Sequence, residues 1–301
     1  MSILTLQQVS KTFQNYKAVD QISLTVPRGC IYGLLGPNGA GKTTTIRMIT
    51  GITHPDSGDI FLGGNRVNKT IPSSIGYMPE ERGLYKKMSV WDHLLYLARL
   101  KGLSVQKAKE ELKFWIERLD MKSWYTKKVE ELSKGMSQKA QFIASVIHKP
   151  DLLILDEPFS GLDPINTNLI KDEISRLRDM GTTILFSTHR MEQVEEICER
   201  MVLINKGKNV LEGDVEEIRK SHRQHLFELV SENDLPGRFP DEFHEIQRLG
   251  KKVRFNPEPH IQSADLLRYF LNEGIEVNAF REQFPSINDI FIETVEKSNQ
   301  A

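Results

Sequence analysis

Gly36-Pro37-Asn38-Gly39-Ala40-Gly41-Lys42-Thr43 has the residue types and spacing of a phosphate cradle, filling G-x-x-x-x-G-K-[ST] at every position. Glycines let successive backbone N–H groups converge on phosphate oxygens, and a following helix adds the positive end of its dipole. Lys42 brings a point charge to the β- and γ-phosphates, the Thr43 hydroxyl is placed for Mg2+, and the cradle runs on to Thr44. A ligand-free glycine turn would need neither the lysine nor the threonine. Alone, the loop fits a GTPase, a nucleoside kinase or a motor ATPase.

Four further constellations narrow the chemistry. Leu152-Leu153-Ile154-Leu155-Asp156-Glu157 is an apolar strand ending in two acids. At the C-terminal edge of a parallel strand, Asp156 is expected to hold Mg2+ through its water shell and Glu157 to polarise a water attacking the γ-phosphate. A capping or solvated acid pair would not explain the apolar strand before it. Leu132-Ser133-Lys134-Gly135-Met136 opens a helix, where the Ser133 hydroxyl and free N–H groups can bind a γ-phosphate or simply cap the helix. Ser160-Gly161-Leu162-Asp163 is a tight turn, and His189 ends a strand whose parallel neighbour would bring the imidazole near the phosphates.

These residues must be positioned by alternating elements. Strands are expected at Ile3–Val9, Ile22–Val26, Ile31–Leu35, near Asp59–Leu62, and at Leu152–Leu155, Thr182–Ser187 and Met201–Ile204. Helices are expected from Thr43 to about Ile49, from Ser89 with a capping box, over 105–119, from Ser133 to about Ile147, from Asp163–Pro164, and over Met191–Glu199. The pattern turns helical from about Glu80 to 150. Alternation of this kind predicts an α/β fold with a parallel sheet covered on both faces. Beyond about Gly213, strands at Phe227–Val230, Val253–Phe255 and Ile275–Phe280 accompany helices at Asp265–Leu271 and Ile287–Val295, with 233–243 as a loop. Residues 220–301 therefore read as a small separate α+β domain.

The 301 residues are 39% hydrophobic and 27% charged, with 40 basic and 41 acidic side chains. That balance leaves no electrostatic footprint for nucleic acid. Cys30 and Cys198 sit in apolar stretches and read as buried thiols of a reducing cytosol. The N-terminus lacks a signal-peptide core, and no apolar run approaches the roughly 18 residues that span a bilayer. A membrane role must come through a partner.

Taken in order, these motifs resemble the nucleotide-binding domain of the ATP-binding cassette (ABC) family over residues 1–215. The resemblance implies ATP and Mg2+ as ligands. It makes Gly36–Thr43 the Walker A loop, Asp156 and Glu157 the end of Walker B, Leu132–Met136 the signature, Ser160–Asp163 the D-loop and His189 the switch histidine. It places Phe13 against adenine, although a core Phe is an equal reading. The fold it implies is a P-loop NTPase core with an antiparallel β subdomain and a helical subdomain over about 80–150. Two cassettes would pack head to tail, each Walker A loop facing the other copy's Ser133 and Gly135, most simply in a homodimer.

Two positions depart from the family. Glu80 stands where the Q-loop carries glutamine, and as an anion it could contact Mg2+ or the attacking water. The signature reads LSKGM, with Lys134 and Met136 replacing glycine and glutamine. With Glu80-Glu81-Arg82-Gly83-Leu84-Tyr85, these variations resemble the ATP-binding subunits of ABC-2-type exporters. The implied protein is a cytoplasmic ATPase, peripheral at the inner face of the cell membrane and serving a separate transmembrane permease. Rival classes are a soluble cassette acting on nucleic acid or ribosomes and a regulator without turnover. The chain lacks the coiled-coil insertion, zinc-type cysteine cluster or second cassette that members of the first class carry, and the second sits poorly with Glu157 and His189.

Overall fold

A computed structural model describes residues 1–67, 74–80 and 83–300. Glu81 and Arg82 of the segment after Glu80 lie outside the described residues. The chain divides into two units, Met1–Val215 and Glu216–Ala301. Both are α/β in content.

The first unit contains two sheets. Strands β1 (Ser2–Phe13), β2 (Tyr16–Pro27), β4 (Ser57–Leu62) and β5 (Asn65–Arg66) form an antiparallel sheet in the order β2-β1-β4-β5. A six-stranded sheet holds β10 (Lys208–Asp214), β9 (Arg200–Asn205), β3 (Ile31–Leu35), β8 (Thr183–Thr188), β7 (Leu152–Asp156) and β6 (Ile75–Met78), in that order. Pairing is parallel from β9 through β6 and antiparallel only at β10. β3, β7 and β8 are buried at every residue, as expected of strands covered on both faces.

Parallel register decides where the chemistry falls. Leu35 pairs with Thr188 and Asp156 pairs with Ser187, so β3, β7 and β8 end at one edge of the sheet. The phosphate loop, the acid pair and His189 each begin just past these ends. A crevice outside the carboxyl ends of parallel strands is where such sheets bind ligands.

Helices α1 (Lys42–Ile49), α2 (Val90–Leu100), α3 (Val105–Arg118), α4 (Lys134–Val146), α5 (Pro164–Asp179) and α6 (Met191–Ile197) complete this unit. Local chemistry starts most of them. Ser89, Ser104, Ser133 and Asp163 are N-caps that accept from the backbone N–H three residues on, and Pro164 takes the first helical position of α5. The first helix of this region starts at Val90 after the Ser89 cap, as expected, with Ile75–Met78 forming the edge strand β6 ahead of it. The buried Glu173 of α5 pairs with Arg118 of α3, tying the helical region to the sheet's covering layer.

Helix α7 (Val215–Ser221) leads into the second unit. There β11 (Leu226–Ser231), β12 (Glu245–Leu249), β13 (Lys252–Phe255) and β14 (Val277–Gln283) form an antiparallel sheet ordered β12-β13-β11-β14, with α8 (Ser263–Asn272) and α9 (Ile287–Gln300). Its core is aromatic: Phe227, Phe239, Phe243, Phe255 and Phe270 are buried together. The stretch 233–243 is accordingly not a plain surface loop, since Phe239 and Phe243 anchor it and Asp241–Phe243 forms a 3-10 turn.

Candidate nucleotide site

Two glycines shape the phosphate loop. Gly36 has φ 152°, and a Cβ there would stand 2.1 Å from the Ile204 carbonyl oxygen. Gly41 has φ 110°, and its Cβ would meet the Ala18 carbonyl oxygen at 2.5 Å. Any side chain at either position would push the loop off β9 or off the β2 segment behind it. Gly41 caps α1 without a side-chain hydrogen bond, so no capping side chain occupies the first-turn N–H groups.

Lys42 lies along this concavity, 8% exposed, and donates to the Gly36 and Pro37 carbonyl oxygens at 2.7 and 3.2 Å. Burial lowers its pKa, while Glu157, Asp156 and Glu80 act in the opposite sense and favour the charged form. A cleft of about 280 Å³ opens here, walled by Tyr16, Ala18, Asn38 through Thr44, Glu80, Asp156 and Glu157.

The acid pair is held from the neighbouring strand. Asp156, 2% exposed, accepts from Ser187 Oγ at 2.8 Å, and Thr43 Oγ1 stands 3.4 Å from its other oxygen. Burial raises the Asp156 pKa; Ser187 opposes that, Glu80 and Glu157 add to it, and Lys42 counters it. A hydroxyl and a carboxylate side by side are hard oxygen donors of the kind Mg2+ takes, so the residues present fit that ion.

Glu157 has φ 50°, a left-handed backbone that costs a non-glycine residue on the order of 1 kcal/mol. The surroundings enforce it. Glu157 N–H donates to the Ser187 carbonyl at 2.9 Å, and Thr188 Oγ1 lies 3.1 Å from Oε2. Oε1 accepts from the His189 backbone N–H at 2.8 Å and lies 2.6 Å from His189 Nδ1. The carboxylate therefore requires the hydrogen on Nδ1. Gln138 of α4 donates to the Pro158 carbonyl at 2.8 Å, joining the helix after the signature to the loop after β7.

Sequence reasoning brought Lys42, Thr43, Asp156, Glu157 and Glu80 to one place, and the structure puts all five on the cleft. His189 reaches it through Glu157. Ser133 caps α4, its hydroxyl accepting from Met136 N–H at 3.2 Å, and Gly135 packs toward Leu162. Asp163 caps α5 through Asn166 N–H at 2.9 Å, which lowers its pKa. None of these three is among the cleft-lining residues described. Phe13 is 47% exposed, so it is no core residue. Tyr16, Gln138, Ser187 and Thr188 were missed. The two hydroxyl residues at the end of an otherwise apolar strand were the available signal; Tyr16 emerges only from hairpin register. Cys30 and Cys198 are buried free thiols, with burial raising the pKa of Cys30 to about 11.

Fold and site together define a P-loop ATPase of the cassette type, and comparison with known proteins agrees. The ABC transporter family model matches residues 19–160, and the model of the ATP-binding protein DrrA1-3-like C-terminal domain matches residues 213–295. The uncharacterised ABC transporter ATP-binding protein YhaQ of Bacillus subtilis is 47% identical over 296 residues, covering 97% of this chain and 98% of its own. The Nod factor export ATP-binding protein I of Burkholderia lata is 38% identical over 213 residues, 70% of each chain. A solved ATP-binding subunit of an ABC transporter superposes with a TM-score of 0.69 at 29% identity, covering 73% of this chain and 93% of that one. The chain belongs to the ABC transporter ATP-binding protein family.

Proposed function

We propose that this chain hydrolyses ATP as one of two identical subunits bound to a separate membrane permease, and that the assembly exports its substrate. In this reading residues 1–215 are the cassette and 220–301 an accessory domain. The observation that carries it is the meeting of Lys42, Thr43, Asp156 and Glu157 on one cleft, while Ser133 and Gly135 of the same chain are not among its lining residues. A second copy would supply them head to tail.

In the bound state Lys42 exchanges its loop carbonyls for β- and γ-phosphate oxygens. Thr43 and Asp156 would hold Mg2+, with Glu80 beside them. That ion, when present, neutralises charge on the phosphate oxygens. Glu157 takes a proton from the attacking water, with its carboxylate aimed by Thr188 and by both His189 donors. Phe13 stacks on adenine, Ser133 and Gly135 close over the γ-phosphate from the other copy, and Asp163 joins the interface between copies.

Export is supported by the relative named for Nod factor export. Among the described residues no helix is long and apolar enough to cross a membrane, so a seat at the inner face of the cell membrane would be held by the permease. Near-balanced charge, 40 basic against 41 acidic residues, supports a partner set without nucleic acid. Co-expression with a candidate membrane permease, sought first among the products of adjacent genes, tests the reading. Co-purification in detergent with ATPase activity altered by the permease is expected. Failure to associate, with turnover indifferent to the permease, would overturn it.

A further inference from the structure

Tyr16 is the one aromatic residue among those that line the described cleft, and nothing in the ATPase motifs calls for it. It opens β2 directly after the two-residue turn Gln14–Asn15, in which Gln14 takes φ 51°. Register makes it the cross-strand partner of Phe13, the last residue of β1. Directly opposed residues of an antiparallel pair put their side chains on the same face, so both rings stand on one face of the hairpin tip. Both are exposed, Tyr16 at 57% and Phe13 at 47%. Neither ring is spent on the core.

What distinguishes Tyr16 is its hydroxyl. It crosses from the hairpin to the phosphate loop and donates to the Gly39 carbonyl oxygen at 3.1 Å. Gly39 lies in the middle of the cradle at φ 78°, where no side chain crowds it. One bond thus links the tip of the antiparallel sheet to a loop delivered by the parallel one. Lys11 closes the other side of the tip, its ammonium 5.6 Å from the Phe13 ring centre and paired with Asp56 at 2.6 Å.

We propose that Tyr16 is a positioning residue of the nucleotide site, fixing the aromatic tip at a set distance from the phosphate loop so that base and triphosphate are engaged together. This rests on the ATP-site reading above and deepens it. Without the bond the tip still forms, but its rings are free to swing away from a base anchored by its phosphates. Preorganisation of this kind changes affinity for the whole nucleotide and leaves the affinity of its phosphate chain alone untouched.

Equilibrium binding of MgATP and of Mg-tripolyphosphate to the full chain, compared for Tyr16→Phe, Phe13→Ala and the double variant, separates these effects. A hydrogen bond worth about 0.5–1.5 kcal/mol predicts that Tyr16→Phe weakens ATP about 2- to 12-fold. Tripolyphosphate affinity should stay at the wild-type value. Because Tyr16 acts with the tip's ring, its effect should shrink toward nothing in the Phe13→Ala background. Unchanged ATP affinity in Tyr16→Phe, an equal loss for tripolyphosphate, or full additivity with Phe13→Ala would each overturn the proposal. Wild-type protein that fails to bind ATP would instead overturn the site reading on which it rests.

Discussion

Glu157 gathers more donors than a surface carboxylate needs: Thr188 Oγ1, the His189 N–H and His189 Nδ1 all face it, on a backbone held at φ 50°. Such restraint fixes a base in one direction, which is what activation of a single water requires. Glu157→Gln keeps the shape and removes the base, so phosphate release should fall by about 10²-fold or more while ATP binding persists. Lys42→Ala should instead lose ATP affinity, because it removes the buried cation that the cradle folds around. Direct titration with a nucleotide analogue separates the two. Removing divalent cations with chelator should silence hydrolysis in the wild type. The residues that meet on the cleft were legible in sequence because Lys42, Thr43, Asp156 and Glu157 each lie at or just past the end of an apolar strand. Ser187 and Thr188 were not, since their role exists only once β8 pairs with β7.

At the scale of elements, the strongest electrostatic feature lies in the second unit. Glu228 of β11 is fully buried and bonded by Lys252 and Arg254 of β13 and Arg281 of β14, at 2.7, 3.2 and 2.6 Å. Burial would push its carboxyl up; the hydrogen bonds from Lys252, Arg281 and Arg254 outweigh that and hold it at about 2, below the ordinary 4.5. A depressed carboxylate stabilises the fold above its unfolded pKa and ceases to do so as pH falls through its folded one. Stability should therefore drop between pH 4.5 and 2. Glu228→Gln should flatten that dependence and cost roughly 2–3 kcal/mol at pH 7, less than a fully buried pair because the arginines reach solvent. Denaturant melts at several pH values check both. Elements with strong periodicity or a cap, such as α3 and α5, were readable. β10 and β12 were not: their residues alternate burial only weakly, and tertiary pairing decides their state.

For the whole molecule, the proposed function turns on a site that a second copy would complete. The cleft has the phosphate loop, the acid pair and Glu80, but its described lining contains neither Ser133 nor Gly135, which the family's arrangement brings over the γ-phosphate. One copy of each motif was visible in sequence; that Ser133 and Gly135 are not among the described lining residues needed coordinates. Glu157→Gln should trap the nucleotide, so its mass in sedimentation with and without MgATP reads the central claim directly. ATP should convert one chain into two, and adding Ser133→Ala should leave ATP bound to a single chain. A Glu157→Gln protein that binds MgATP and still sediments as one chain would contradict it.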